Sequence, residues 1–140
     1  MRLDLPPAFF LGAYIRLAML GGLGLFVLGL GATFAPTIAA AYLNVYGIAQ
    51  AVAGLVVFLA HDSWRRRMPP TEFDAFLRRA YFTLGALAFL AGAAVFFPLA
   101  LGRVITGTPP IGETIVAAVS LVFSVRFARQ IGAEASSEAV

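Results

Sequence analysis

"TIAAAYLNVYGIAQAVAGLVVFLA", residues 37–60, followed directly by "HDSWRRRMPPTEFDAFLRRA", residues 61–80, decides how this chain is arranged. The first piece runs 24 residues without a charge. A helix that crosses a bilayer needs about 20 predominantly apolar residues. The second piece holds the single His, the single Trp and five of the ten Arg. An apolar run of membrane length that ends in a polar island reads as a span leaving the lipid. Working outward, three more spans follow: 8–34, uncharged after Arg16; 72–102, uncharged from Ala80 to Gly102; and 110–130. The fold class expected is all-α, a polytopic membrane protein forming a four-transmembrane-helix bundle, with 61–71 as a loop. A cleaved signal peptide competes for the first span, since Ala39 and Ala41 offer small residues. That span's apolar run exceeds the roughly 7–15 residues of a signal core, which favours a retained helix.

Composition supports a lipid solvent. The chain has 140 residues, 61% hydrophobic and 12% charged. Soluble domains carry about 25% charged residues, and a domain this small has a high surface-to-volume ratio that water would have to wet. Cys is absent, which excludes disulfides and thiolate metal sites. One His excludes a multi-histidine metal or haem site within the chain.

Charge sets the direction. Arg65, Arg66, Arg67, Arg78 and Arg79 lie between spans two and three, with Arg2 and Arg16 near one terminus and Arg126 and Arg129 near the other. With four spans, nine of the ten Arg fall on one side and Arg103 on the other. Cytoplasmic loops are enriched in Lys and Arg, so both termini and the 61–71 loop are expected on the cytoplasmic side of an inner membrane. The five Arg of the island are also candidates for anionic lipid headgroups, at about 1 kcal/mol per basic residue near the surface. No nucleic-acid motif accompanies them. "PPTEFD" reads as Pro69-Pro70 stopping one helix and Thr71 capping the next, with Asp74 at the capping-box position. Asp74 and Arg78, four apart, are expected to pair. Trp64 suits the headgroup belt, and His61 reads as an interfacial residue at a helix end.

Glycines mark the expected contacts. Gly22 and Gly29, Gly47 and Gly54, Gly85 and Gly92 are pairs seven apart in three spans; seven residues is nearly two turns, so each pair lies on one stripe. Span four offers Ala117, Ser120 and Ser124 instead. Helices in lipid associate through such small residues. The halves also resemble each other. At an offset of 63, Arg16 matches Arg79, Gly22 matches Gly85, Phe26 matches Phe89 and Gly29 matches Gly92, while Pro36 and Pro98 each close a span. The reading is two tandem helical hairpins in parallel repeat; the alternative is chance matching in a composition rich in Ala, Gly, Leu and Phe.

Ionisable groups at membrane depth are the default place to look for function. Glu113 opens span four, with Thr108 as the expected cap and Pro109 at the first helical position. A carboxylate there suits the positive end of the helix dipole, or serves as an ion or proton site with Arg103 as its partner. Glu113 and Arg126 are thirteen residues apart, about 20 Å along a helix, too far to pair. Arg126 is expected to snorkel to the cytoplasmic edge. Tyr42, Asn44 and Tyr46 form a polar strip on span two, the candidate lining of a quinone or lipid pocket, with Asn44 on the glycine face. No paired inward carboxylate, Ser–His–acid set, phosphate-cradling Gly loop or zinc spacing occurs. The expectation is a protein that is not an enzyme and holds no metal or cofactor.

The Arg that opens "RLAMLGGLGLFVLGLG" and the Gly-bearing "VYGIAQAVAGLVVFLA" give the chain a layout that resembles the DoxX-like group of small bacterial membrane proteins. That resemblance implies four helices and, for some members, a place as a membrane subunit of an oxidoreductase that passes electrons to quinone. Three functions follow as expectations. The first is a non-catalytic accessory or assembly subunit of a larger membrane complex, partnered by other subunits or by copies of itself. The second is a small proton- or ion-coupled transporter using Glu113. The third is a quinone-binding redox subunit.

Overall fold

The structure, a computed structural model describing residues 6–34 and 40–137, consists of four α-helices: α1 (Pro7–Thr33), α2 (Ala40–Arg67), α3 (Asp74–Ile105) and α4 (Ile111–Ser137). All four are long and apolar enough to cross a membrane, and no strand occurs among the described residues. Hydrocarbon offers no partner to backbone N–H and C=O groups, so a spanning segment must satisfy them within itself. This is a multi-pass, all-α membrane protein.

Helix ends depart from the sequence reading in several places, α4 for instance running on to Ser137, and three of the departures have a plain local reason. First, α2 continues through the segment expected as loop. Asp62 accepts hydrogen bonds from Arg65 at 2.8 Å and Arg66 at 2.8 Å, three and four residues on, and Arg65, Arg66 and Arg67 occupy the last turn, where cations suit the carbonyl end. Its 28 residues measure about 42 Å against a hydrocarbon core of about 30 Å, so the last turns emerge as helix. Pro69 and Pro70 then stop it, leaving residues 68–73 as the connection. Second, Pro98 does not end α3, which runs on to Ile105 with the proline inside. Third, Thr108 does not cap α4. Its N–H donates back to the Arg103 carbonyl at 2.9 Å, closing the end of α3, with Gly107 in the left-handed region at φ 72°. Gly suits that position because it lacks the Cβ that penalises a positive φ.

Packing is uneven. Helix α1 lies against all three others and α3 pairs with α4, whereas among the described residues the backbone of α2 comes within 8 Å of α1 alone. The α1–α2 crossing is made by backbone against backbone. A Cβ placed on Gly22 would lie 2.7 Å from the Gly54 carbonyl oxygen, and one on Gly54 would lie 2.5 Å from the Gly22 oxygen and the Phe26 nitrogen. Gly29 meets Gly47 and Ala51 in the same way. In the second hairpin Gly85 receives the ring of Phe127 and Gly92 receives the Ser120 hydroxyl, while Ser124 Oγ donates to the Ala86 carbonyl at 2.9 Å. Gly22 and Gly29 of α1 thus face α2 as their counterparts Gly85 and Gly92 of α3 face α4, the correspondence that tandem hairpins require. Leu23, Val27, Phe89, Val116 and Phe127 form the core where α1 meets that second pair.

Candidate functional site

Because α2 leans on α1 alone, a cavity of about 720 Å³ opens between it and the α3–α4 pair at the arginine-rich end. Each helix presents to it one stripe that changes from apolar to charged. On α2 the stripe is Leu55, Phe58, Leu59, Asp62, Arg65 and Arg66; on α1 it runs from Phe26 through Leu23 and Met19 to Arg16. Helix α3 adds Arg78, Tyr81 and Phe82, and α4 adds Phe123, Arg126, Phe127 and Gln130. These spacings of three and four residues keep each set on a single face. The result is an aromatic and aliphatic floor under a rim of five guanidinium groups drawn from all four helices.

The rim is held by ion pairs across helices. Arg16 is buried; its Nη2 donates to Asp74 Oδ1 at 2.9 Å and its Nη1 to the Gly12 carbonyl at 3.2 Å. Asp74 Oδ2 accepts the Thr71 N–H at 2.9 Å, so one carboxylate fixes the 68–73 connection, the start of α3 and the α1 arginine together. The expected Thr71 cap is not formed: Phe73 is the residue that precedes the first turn, without a side-chain cap bond, and Asp74 is itself the first helical residue. The expected Asp74–Arg78 pair does not form: Asp74 turns to Arg16, and Arg78 pairs with Glu134 of α4. An exposed pair four residues apart gains only about 0.3–0.5 kcal/mol, less than a charge-assisted bond to a guanidinium already out of water. Arg126 has no ion pair among the described residues. Arg16, Arg65 and Arg78 also border a smaller cavity of about 210 Å³ beside the 68–73 connection, so they form the wall between the two spaces.

Of the five arginines singled out in the sequence for headgroups, Arg65, Arg66 and Arg78 line the cleft, whereas Arg67 and Arg79 are exposed away from it. Arg16 and Arg126 are the additions. The apolar-to-charged stripes at Leu55–Arg66 and Phe123–Gln130 were the available signal, but their convergence needs the helix pairing. His61 donates from Nδ1 to the Val57 carbonyl at 2.8 Å and packs edge-on against Tyr14, while Trp64 is half exposed beside it, as interfacial residues are expected to be.

At the opposite end, Arg103 Nε donates to Glu113 Oε1 at 3.0 Å, joining the end of α3 to the first turn of α4. Glu113 Oε2 is buried without a hydrogen-bond partner among the described residues. The Tyr42 and Asn44 side chains lie outside the described residues; Tyr46 is exposed and does not border the cleft. No group of three or more His, Cys, Asp or Glu with metal-binding geometry occurs among the described residues. Comparison with family models, with curated proteins and with solved structures finds no match to this chain.

Proposed function

We propose that this protein is a non-catalytic integral protein of a bacterial inner membrane, with both termini cytoplasmic, acting as an accessory or assembly subunit of a larger membrane complex. The observation that carries the reading is the one-sided attachment of α2. Val45, Ile48, Val52 and Val56 remain more than half exposed on a helix whose backbone, among the described residues, approaches α1 alone. Such a face is open to a helix of another subunit or of a second copy, and association of that kind proceeds by close packing rather than by hydrophobic burial. The connections between helices are short, 68–73 and 106–110, so the polypeptide's working surface lies within the bilayer. The resemblance of the sequence layout to DoxX-like proteins makes an oxidoreductase assembly one partner to seek, with a quinone site at Tyr42, Asn44 and Tyr46 as its redox-active variant.

Purification of the tagged protein from its own membranes in mild detergent tests this. A membrane protein retained at fixed stoichiometry, or a defined homo-oligomer, and released by Val52→Trp, is the expected result. A chain that always runs as a solitary monomer overturns the reading.

A second reading, an ion- or proton-coupled transporter, is favoured by Glu113, whose buried free oxygen faces no donor among the described residues. Ion flux into proteoliposomes that is lost in Glu113→Gln supports it; flux that survives that substitution removes its mechanism.

A further inference from the structure

We propose that the cleft between α2 and the α3–α4 pair binds an anionic phospholipid of the leaflet at the arginine-rich end, its phosphate on the guanidinium rim and an acyl chain along the floor. Three features of the cleft specify that occupant. Charge comes first: among the described residues the five arginines of the rim are met by three carboxylates, Asp62, Asp74 and Glu134, which leaves two positive charges in excess. Arg126, exposed and without an ion pair among the described residues, is free to present its planar fork to phosphate, the geometry that guanidinium groups match in bidentate fashion.

Depth is the second feature. From Arg16 to Phe26 the wall on α1 covers ten residues, roughly 15 Å at 1.5 Å per residue, and Leu55 to Arg66 on α2 covers a similar distance. That is about half of a hydrocarbon core some 30 Å thick. The charged rim and apolar floor therefore match the headgroup level and the acyl depth of one leaflet. Third, the side between α2 and α4 is open, because among the described residues the backbone of α2 does not come within 8 Å of α3 or α4. A lipid enters sideways from the bilayer without leaving it. The cavity's 720 Å³ lies within the roughly 300–1,000 Å³ of ordinary ligand sites, enough for a headgroup and one chain while a second chain stays in the surrounding lipid. A neutral quinone would use the floor and leave the excess charge unanswered.

Thermal unfolding of the full-length protein in a neutral detergent, titrated with phosphatidylglycerol, phosphatidylcholine, soluble glycerol phosphate or inorganic phosphate, tests the proposal. Phosphatidylglycerol should raise the melting temperature saturably, and the other three should not. Arg126→Gln and Arg66→Gln should each weaken the apparent phosphatidylglycerol affinity about fivefold, which corresponds to about 1 kcal/mol per basic group. Arg67→Gln, which removes the same charge from outside the cleft, should leave it unchanged. Leu59→Trp, which fills the floor and keeps the rim, should weaken it comparably, with retained helicity by circular dichroism showing that each variant is folded. Equal losses in Arg67→Gln and Arg126→Gln would mean diffuse surface attraction and would overturn the proposal. So would equal stabilisation by glycerol phosphate or inorganic phosphate, which would mark a site for a soluble anion. No response to phosphatidylglycerol in the folded protein would assign the cleft to another occupant. The test uses the isolated chain, so its outcome is independent of whether a partner subunit exists.

Discussion

Replacing Gly54 by Ala adds a single methyl group where the structure has no room for it. That carbon would lie 2.5 Å from both the Gly22 carbonyl oxygen and the Phe26 amide nitrogen, whereas ordinary van der Waals contact begins near 3.4 Å. The obstructing atoms are main chain of α1 and have no rotamer to change. Relief requires the helices to part by about 1 Å, which loosens the neighbouring contacts of Gly29 with Gly47 and Ala51 as well. Overpacking of this kind costs about 1–3 kcal/mol, and backbone obstruction places Gly54→Ala towards the upper end. Gly21 supplies the control: it lies on the same crossing helix with nothing within 4 Å of an added Cβ. There alanine gains up to about 1 kcal/mol through helix propensity. The two substitutions, identical in chemistry, are therefore expected to have opposite signs. Gly85→Ala should fall between them, because it meets the Phe127 ring at 3.0 Å and a ring can tilt. Thermal or denaturant-induced unfolding in one detergent, followed by circular dichroism, measures the series. Equal effects of Gly54→Ala and Gly21→Ala would show that α1 and α2 do not cross at these glycines.

Asp74→Asn removes the charge that holds Arg16 and should destabilise by about 1 kcal/mol, a figure kept small because the carboxylate is 39% exposed; an unchanged melting temperature refutes the role given to this pair. At the other end Arg103→Ala should cost about 1–3 kcal/mol, and more than Glu113→Gln, since only the former strands a buried carboxylate. Equal losses would show that the Glu113 charge needs no partner. The absence of native Cys allows a clean test of orientation: in intact cells a membrane-impermeant maleimide should label Thr106→Cys and spare Glu72→Cys, and the reverse pattern overturns the cytoplasmic assignment of the arginine-rich end.

Much of this architecture was legible because lipid simplifies the code. An uncharged run of span length has few alternatives, and the glycine stripes of α1 and α2 could be read from spacing alone since small residues are what lets helices approach. Gly22 and Gly54 duly meet. What escaped was local competition among polar groups. The 61–67 segment looked like loop because it is charged, yet Asp62 with Arg65 and Arg66 makes those charges helix-compatible. Thr108 resembled a cap for the helix after it and instead closes the helix before it, a choice decided by Gly107. The cleft lay further out of reach. Every stripe that lines it is visible in sequence, but which stripes face one another follows from α2 being attached to α1 alone, and no periodicity records that.

The crossing of α1 and α2 through bare main chain has a consequence for how the polypeptide is made. Those two segments need nothing from residues beyond 67 to complete their contact, and glycine-to-glycine docking has few side-chain conformers to sort. They are therefore able to lock together in the membrane while the remainder is still being translated. The later pair would then meet a finished scaffold, dock on the neighbouring flank of α1, and enclose the arginine-rimmed gap last.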